Sequence, residues 1–415
     1  MSKTILYILL FCSTLTQAQQ TRILFDATKA ESAGNADWII DAGLHNLGYN
    51  NGPAVVGQGS ESNPAAVPAP AQSGINGSTT ETFWEGALSY WGIDCVRQGY
   101  EVASLPYNGR ITYGDISNPQ DLQNYSVYIV CEPNILFTSA EKTAILEFVN
   151  NGGGLFIISD HDQSDRNGDG DDSPHIWNDL MNTNSVMTNP FGFTFTYSDI
   201  SQTSSNVATL PGDSVLHGPF GDVNMVQWSN GTTMTLSSLQ NPSVTGLIYK
   251  SGSSQGNTNV LCARARFGRG KVVAIGDSSP CDDGSGDPND FLYDGYIADA
   301  NGNHQKLLMN ATIWLATSDS VITSIPITDH EVNSISVYPN PADKYLNVKC
   351  KSDNMVNYTI EIADTYGRIL FRSDSNSLVE EKNHLRIDLE NFSAGLYYLH
   401  YQSNLSSTVR PFIKL

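Results

Sequence analysis

Four runs in the first 280 residues stay apolar almost to their last position: RILFD at 22–26, VYIVCEPN at 127–134, LFIIS before Asp160, and KVVAIGD ending at Asp277. A strand with one face in water alternates apolar and polar side chains, whereas one covered on both faces does not. Helix-like stretches separate the runs. AEKTAILEFVNN follows Thr138, which stands three residues before Glu141 in capping-box spacing, and Gly152-Gly153-Gly154 stops it. TETFWEGALSYWGID places Phe83, Ala87, Leu88 and Trp91 at helical spacing, with Thr79 or Thr80 as N-cap, and HQKLLMNATIWLATS is a further helix. The expectation is an α/β fold, a parallel sheet with helices on both faces. Residues 190–260 read differently: FGFTFTYSD, TMTLSSL and VTGLIYKSG alternate and carry turn residues, which predicts an antiparallel insertion.

The apolar runs end in acids. Asp26, Glu132, Asp160 and Asp277 each sit at or just past the C-terminal end of a predicted strand, and His161 follows Asp160. Ligands of open α/β sheets bind at that end of the strands. Carboxylates brought together there push their pKa values apart, which furnishes an acid and a base, or with His161 they bind a divalent metal that activates water. Asp26, Glu132, Asp160, His161 and Asp277 are therefore the candidate catalytic residues. Aromatics in the adjoining stretches (Trp38, Trp84, Trp91, Tyr107, Tyr113, Trp177 and Tyr293) would suit sugar rings, although the helical spacing of Trp84 and Trp91 also fits a core.

The segment DHDQSDRNGDGDDSPH, 160–175, holds six Asp and two His. Asp165-x-Asn167-x-Asp169-Gly170 has the first half of a calcium-loop pattern, oxygen donors at alternate positions with a glycine for the bend. Ile176 stands where the closing Glu belongs, so Asp171, Asp172 or Asp179 would have to complete the set. Asp165, Asn167, Asp169, Asp171 and Asp172 are the candidate ligands for a structural calcium ion.

The chain of 415 residues carries a net charge of −21. Residues 21–320 hold 12 Lys+Arg against 32 Asp+Glu, a balance of −20, and residues 321–415 hold 9 against 11, a balance of −2. An acidic main domain disfavours nucleic acid as a partner unless metal ions bridge the contact. Lys3, the apolar stretch Ile5–Cys12 and Thr16-Gln17-Ala18 have the order of a secretory signal peptide ending near Ala18. No later segment reaches the roughly 20 apolar residues of a membrane span. Beyond Cys12 the cysteines are Cys95, Cys131, Cys262, Cys281 and Cys350, an odd number at wide spacings, so neither a zinc signature nor a disulfide framework is visible.

After a polar linker (319–333), residues 334–415 change to short strands with turn signals. Tyr338-Pro339-Asn340-Pro341, Asp364-Thr365-Tyr366-Gly367-Arg368, Ser393-Ala394-Gly395-Leu396-Tyr397-Tyr398 and the terminal Phe412-Ile413-Lys414-Leu415 resemble the C-terminal sorting domain of proteins exported by the type IX secretion system. That resemblance implies a small β-sandwich that engages the secretion machinery, with delivery through the periplasm and outer membrane to the cell surface or medium.

The run from Asp121 to Asp160, with GRGKVVAIGDSS and LLMNATIWLA, resembles class I glutamine-amidotransferase-like domains, in particular the trehalose-utilisation-like and related secreted branch. It implies a flavodoxin-like sheet over residues 19–318. Members that use a Cys or Ser nucleophile carry it in a tight turn after the strand corresponding to LFIIS. Here that strand runs into Asp160-His161-Asp162, and Ser159 lacks the flanking glycines of a nucleophile elbow. The leading expectation is thus a secreted hydrolase of an extracellular polymer, a polysaccharide, working through strand-end carboxylates and a His. The alternatives are a non-catalytic, calcium-stabilised glycan-binding module, or a metal-dependent nuclease or phosphoesterase.

Overall fold

The computed structural model describes residues 20–33, 36–41, 65–285, 293–300, 302–317, 335–350, 358–364, 368–374, 384–403 and 407–415. The signal-peptide reading of residues 1–18 and the linker at 319–333 fall outside these. The chain divides into two compact units, Met1–Val321 and Ile322–Leu415.

The first unit is built on one mixed sheet. Five parallel strands lie in the order Glu101–Leu105, Arg22–Asp26, Val127–Cys131, Gly154–Ile158 and Gly270–Ile275. Val260–Phe267 then pairs antiparallel with Gly270–Ile275, followed by Met234–Leu236 and Phe193–Phe195. The residues expected to form an antiparallel insertion thus extend the same sheet.

The apolar character of the central strands follows from their surroundings. Ile23 and Phe25 join one core with Trp91, Ile93, Leu307 and Leu308, while Leu24 joins another with Ile145, Phe148, Trp177 and Leu180. Helices α1 (Ser89–Arg97) and α4 (His304–Ala316) supply the first core, and α2 (Ser139–Asn150) and α3 (Ser173–Asn182) the second. Neighbouring residues of one strand are thus both out of water, and no polar alternation survives.

Helix α2 opens on the expected capping box, with both the Thr138 and the Glu141 arms formed, and Gly152 leaves it at φ +114°. The helix expected from about Thr80 is shorter. A single 3-10 turn covers Glu81–Phe83, Gly86 takes φ +112°, and α1 begins only at Ser89. Between them the backbone N–H groups of Ala87 and Leu88 donate to the carbonyls of Asp37 and Ile39. These tertiary hydrogen bonds replace the helical ones, and Phe83 is left about half exposed.

The second unit is all-β. Antiparallel strands Ile335–Tyr338, Tyr345–Cys350 and His384–Asp388 form one sheet, and Ile369–Asp374, Tyr358–Asp364, Gly395–Ser403 and Ser407–Lys414 form the other. Leu346, Val348 and Ile387 from the first share a core with Ile360, Ile362, Leu399 and Phe412 from the second. That is a two-sheet sandwich.

A Cβ placed on Gly270 would collide with the carbonyl oxygens of Val149 and Gly153, both backbone atoms that cannot step aside. Gly270→Ala is expected to lower unfolding free energy by about 3 kcal/mol, measured by urea titration. Gly77→Ala, where a Cβ meets nothing within 4 Å, serves as the neutral control.

Candidate functional site

The three central parallel strands deliver their acids to one place. The ladder runs one residue past the strands: Glu132 N–H donates to the Ile158 carbonyl at 3.0 Å, and Ser159 N–H to the Ile275 carbonyl at 3.0 Å. Glu132, Asp160 and Asp277 follow immediately, and they are 0, 3 and 0 % exposed.

Each carboxylate is held by specific donors. Glu132 accepts at Oε1 from Arg166 Nε (3.0 Å), and at Oε2 from Trp38 Nε1 (2.8 Å) and Ser278 Oγ (2.7 Å). The same guanidinium reaches Asp160 Oδ2 through Nη2 at 3.1 Å. Asp277 accepts from the backbone N–H of Ser279 at 2.8 Å and of Ser229 at 2.5 Å. Burial lifts the Asp160 carboxyl well above the usual carboxylate range, the charges of Glu132 and Asp277 push it further, and Arg166 opposes them. Burial likewise pushes Asp277 up to about 8 against the pull of the Ser279 and Ser229 N–H groups.

Asp160 and Arg166 line a cleft of about 240 Å³ together with Ala33, His161, Ser278 and Tyr293. His161 Nδ1 lies 2.6 Å from the Asp162 carbonyl. A carbonyl only accepts, so Nδ1 carries the proton, and in the neutral imidazole Nε2 is left as an acceptor. Nε2 stands 3.6 Å from Asp160 Oδ2. The backbone around the cleft is unusual. Glu132 (φ +47°), Gln163 (φ +65°) and Asn230 (φ +61°) adopt left-handed conformations that cost non-glycine residues free energy, and such residues gather at functional sites.

Asp26 does not join this group, contrary to the expected convergence. It turns to a neighbouring buried set, where it accepts from Thr28 Oγ1 at 3.1 Å and faces Glu31, whose carboxyl burial and the Asp26 charge raise well above its usual value. The nearby Lys29 ammonium pairs with Glu141 at 2.7 Å. Four of the expected catalytic residues are therefore brought together and the fifth is separate. Ser159 is fully buried and its hydroxyl contacts Ser173 Oγ rather than His161. Of the aromatics expected to ring the cleft, Trp84, Trp91 and Trp177 are core residues, Tyr113 lines a cavity elsewhere, and only Tyr293 lines this one. Trp38, also buried, serves the site through its indole N–H.

Sequence reasoning passed over Arg166, which occupies a filler position of the calcium-loop pattern. It is the one basic residue among the six Asp of 160–175, and that isolation was the available signal. Ser229 and Ser278 carried none, and Trp38, expected as a sugar-facing aromatic, is instead a hydrogen-bond donor to Glu132.

The acidic loop is closed by its own backbone. Asp165 accepts from the N–H groups of Gly168 (2.7 Å) and Gly170 (2.8 Å), Asn167 Oδ1 from Asp169 N–H, and Asp169 from Asp171 N–H. Asn167 Nδ2 donates to the Asn134 carbonyl. The residues that would complete a calcium set are committed elsewhere: Asp171 pairs with His175, Asp172 caps α3, and Asp179 pairs with Lys142. Among the described residues no three His, Cys, Asp or Glu side chains stand together as an ion would need. As folded, the loop is held by its own hydrogen bonds, and Asp171, Asp172 and Asp179 each already have a partner.

Residues 336–415 match the family described as "Secretion system C-terminal sorting domain". The second unit is that sorting domain. It directs the chain to the type IX machinery, and hence to secretion or the cell surface. No helix among the described residues is long and apolar enough to cross a membrane. No curated protein matches the chain. Among solved structures, the "mmIFT52 N-terminal domain" is similar at 13% identity over 59% of this chain and 96% of that one, with a TM-score of 0.39. A putative ThuA-like protein from Parabacteroides merdae is similar at 13% identity over 55% of this chain and 85% of its own, with a TM-score of 0.33. The dimeric latent PorU of Porphyromonas gingivalis is similar at 18% identity over 22% of this chain and 10% of its own, with a TM-score of 0.17.

The buried acids set a pH dependence. Asp277 ionises near the ordinary carboxylate value of 3.8 when unfolded but only at about 8 when folded, so between these values the native state holds a proton that the unfolded chain releases. Its stabilising contribution is complete below about pH 4 and disappears as pH rises through 8. Asp160, Asp26 and Glu31 shift in the same direction. The melting temperature is expected to be higher at pH 5 than at pH 8.5, with the difference reduced in Asp277→Asn.

Saturating a genuine ion site at a hundred times its Kd would add about 2.7 kcal/mol, several degrees in a domain of this size. Calorimetry with excess calcium and with EDTA is expected to give melting temperatures within about 1 °C of each other, well below that linkage effect.

Proposed function

We propose that the first unit is a secreted hydrolase of an extracellular polymer, with Asp160 as proton donor. The observation that supports this reading is a carboxyl whose ionisation is opposed by burial and by the charges of Glu132 and Asp277, at the wall of an open cleft. A protonated carboxyl at neutral pH can give its proton to the oxygen of a departing group. His161 Nε2, left as an acceptor, takes a proton from an attacking water. Arg166 orients Asp160 against Glu132, and the Trp38 and Ser278 hydrogen bonds fix Glu132 in turn.

The finer fold assignment, a flavodoxin-like domain of the class I glutamine-amidotransferase type, belongs to the same proposal. The five-stranded parallel core with helices on both faces supports it, and an acid in place of the nucleophile separates this chain from members that use Cys or Ser. A neutral polysaccharide suits the substrate role, because a unit with twenty excess acidic residues repels polyanions. That also counts against the nuclease and phosphoesterase alternatives.

A second reading, a glycan-binding module without turnover, draws on the two hydrogen bonds by which Arg166 ties Asp160 and Glu132 into one network. The two readings part on Asp160→Asn. The variant should lose at least 100-fold in kcat on a polysaccharide panel while retaining polymer binding and its melting temperature. Wild-type protein that binds a glycan and turns over none of the panel would support the binding module. Full activity in both Asp160→Asn and His161→Ala would sink the hydrolase.

A further inference from the structure

We propose that a cavity at the N-terminal ends of the parallel strands is a second binding site, which takes one sugar ring of a neutral polysaccharide. The inference rests on the polysaccharide reading and adds a site that the reaction itself does not need. The cavity, about 230 Å³, opens where Val127–Cys131 and Gly154–Ile158 begin, with Ser126 and Gly153 in its lining. The acids of the cleft stand where the same strands end. Strands of five residues put roughly 16 Å of sheet between the two sites, at about 3.3 Å per residue.

The walls of the cavity are aromatic. Tyr113 and Phe148 meet with ring centroids 6.5 Å apart and planes at 61°, and Tyr125 adds a third ring. Each ring is fixed before any ligand arrives, which spares binding the cost of ordering it. Thr112 Oγ1 (2.7 Å) and Gly114 N–H (3.0 Å), on either side of Tyr113, both donate to Asp121. The Arg22 guanidinium packs on the Tyr125 ring, 4.5 Å from its centroid. A Cβ on Gly153 would collide with the Phe148 ring, so the glycine stop that ends α2 also makes room for this wall.

Neutral polar groups complete the lining: Gln123, Ser126 and Asn151. The Asn151 amide is held in place, donating to the Glu147 carbonyl at 2.8 Å and accepting from Arg269 Nη2 at 3.4 Å. Among the described residues the Gln123 amide and the Ser126 hydroxyl have no hydrogen-bond partner.

This combination selects one class of ligand. No charged side chain lines the cavity, so an ionic group finds no counter-charge in it. A hydrocarbon would bury the free amide and hydroxyl without replacing their hydrogen bonds to water. A pyranose satisfies both kinds of wall. The C–H bonds on its face carry slight positive charge toward the negative face of an aromatic ring, and its hydroxyls donate and accept. The volume lies below the roughly 300 Å³ at which pockets for drug-sized ligands begin, which is room for one ring and not for an oligomer. A polymer gripped here and at the cleft leaves only when both let go, so the second site raises the effective concentration of chain at the first.

The test titrates full-length Asp160→Asn protein, which leaves the polymer uncut under the hydrolase reading, with xylan, mannan, mixed-linkage glucan and amylose by calorimetry. At least one polymer should bind, and adding Tyr113→Ala and Gln123→Ala should weaken it by about 10-fold or more at an unchanged melting temperature. A crystal soaked with the matching hexasaccharide should show a sugar ring against Tyr113. Unchanged affinity, a ring found in the cleft alone, or no neutral polymer bound would overturn the site. Should Tyr113→Ala lower the melting temperature, Gln123→Ala alone decides with the soaked crystal, because Gln123 is exposed. Turnover by the wild type keeps the two proposals apart. A filled cavity without turnover sinks the hydrolase and keeps the site, and turnover with an empty cavity does the reverse.

Discussion

One guanidinium stands among three buried carboxyl groups. Arg166 is the cation within hydrogen-bond reach of Glu132 and Asp160, and Asp277 lies close enough for its charge to raise Asp160. Removing an ion from water costs several kcal/mol that only partners can return. Among the described residues one cation faces three carboxyl groups, and this crowding with burial opposes the ionisation of Asp160 and Asp277. This shortage gives Asp160 its character. The same carboxyl on the surface would be an ordinary anion with no proton to give at neutral pH.

The sheet makes this shortage unavoidable. Adjacent parallel strands about 4.8 Å apart end level with one another, and each has an acid at or just beyond its last pairing residue. Strand register therefore sets the spacing of the acids, and the loops supply what holds them: Trp38 from one, Arg166 from another, Ser229 and Ser278 from two more. A small change in any loop alters hydrogen bonds to the acids without moving the acids themselves.

Much of the architecture was legible because it depends on local rules. Apolar runs without alternation announced strands covered on both faces, and Thr138 with Glu141 announced the start of α2. Three of the four strand-end acids did converge. What the sequence hid was long-range. Gly86 and the hydrogen bonds to Asp37 and Ile39 cut short a helix whose apolar spacing was sound. Asp26 shares a sheet edge with the others, but Glu31, five residues on, captures it. The calcium-like spacing has a second reading of the same kind: alternate Asp and Asn side chains can close a loop on their own backbone N–H groups as readily as on an ion. Arg166 was visible throughout, but its role depends on two residues at the ends of other strands.

Glu132 sits where the chain leaves its strand with a positive φ, a conformation that glycine or asparagine accepts far more easily. A chain shaped for stability alone would have one of those residues there and a calmer backbone. Keeping a glutamate means that three hydrogen bonds to its head must outweigh the strain at its root. The side chain and the backbone thus pull against each other at one residue. The turn that this tension maintains is the same turn from which Asn134 reaches the acidic loop, so relaxing it would be felt on both sides of the cleft.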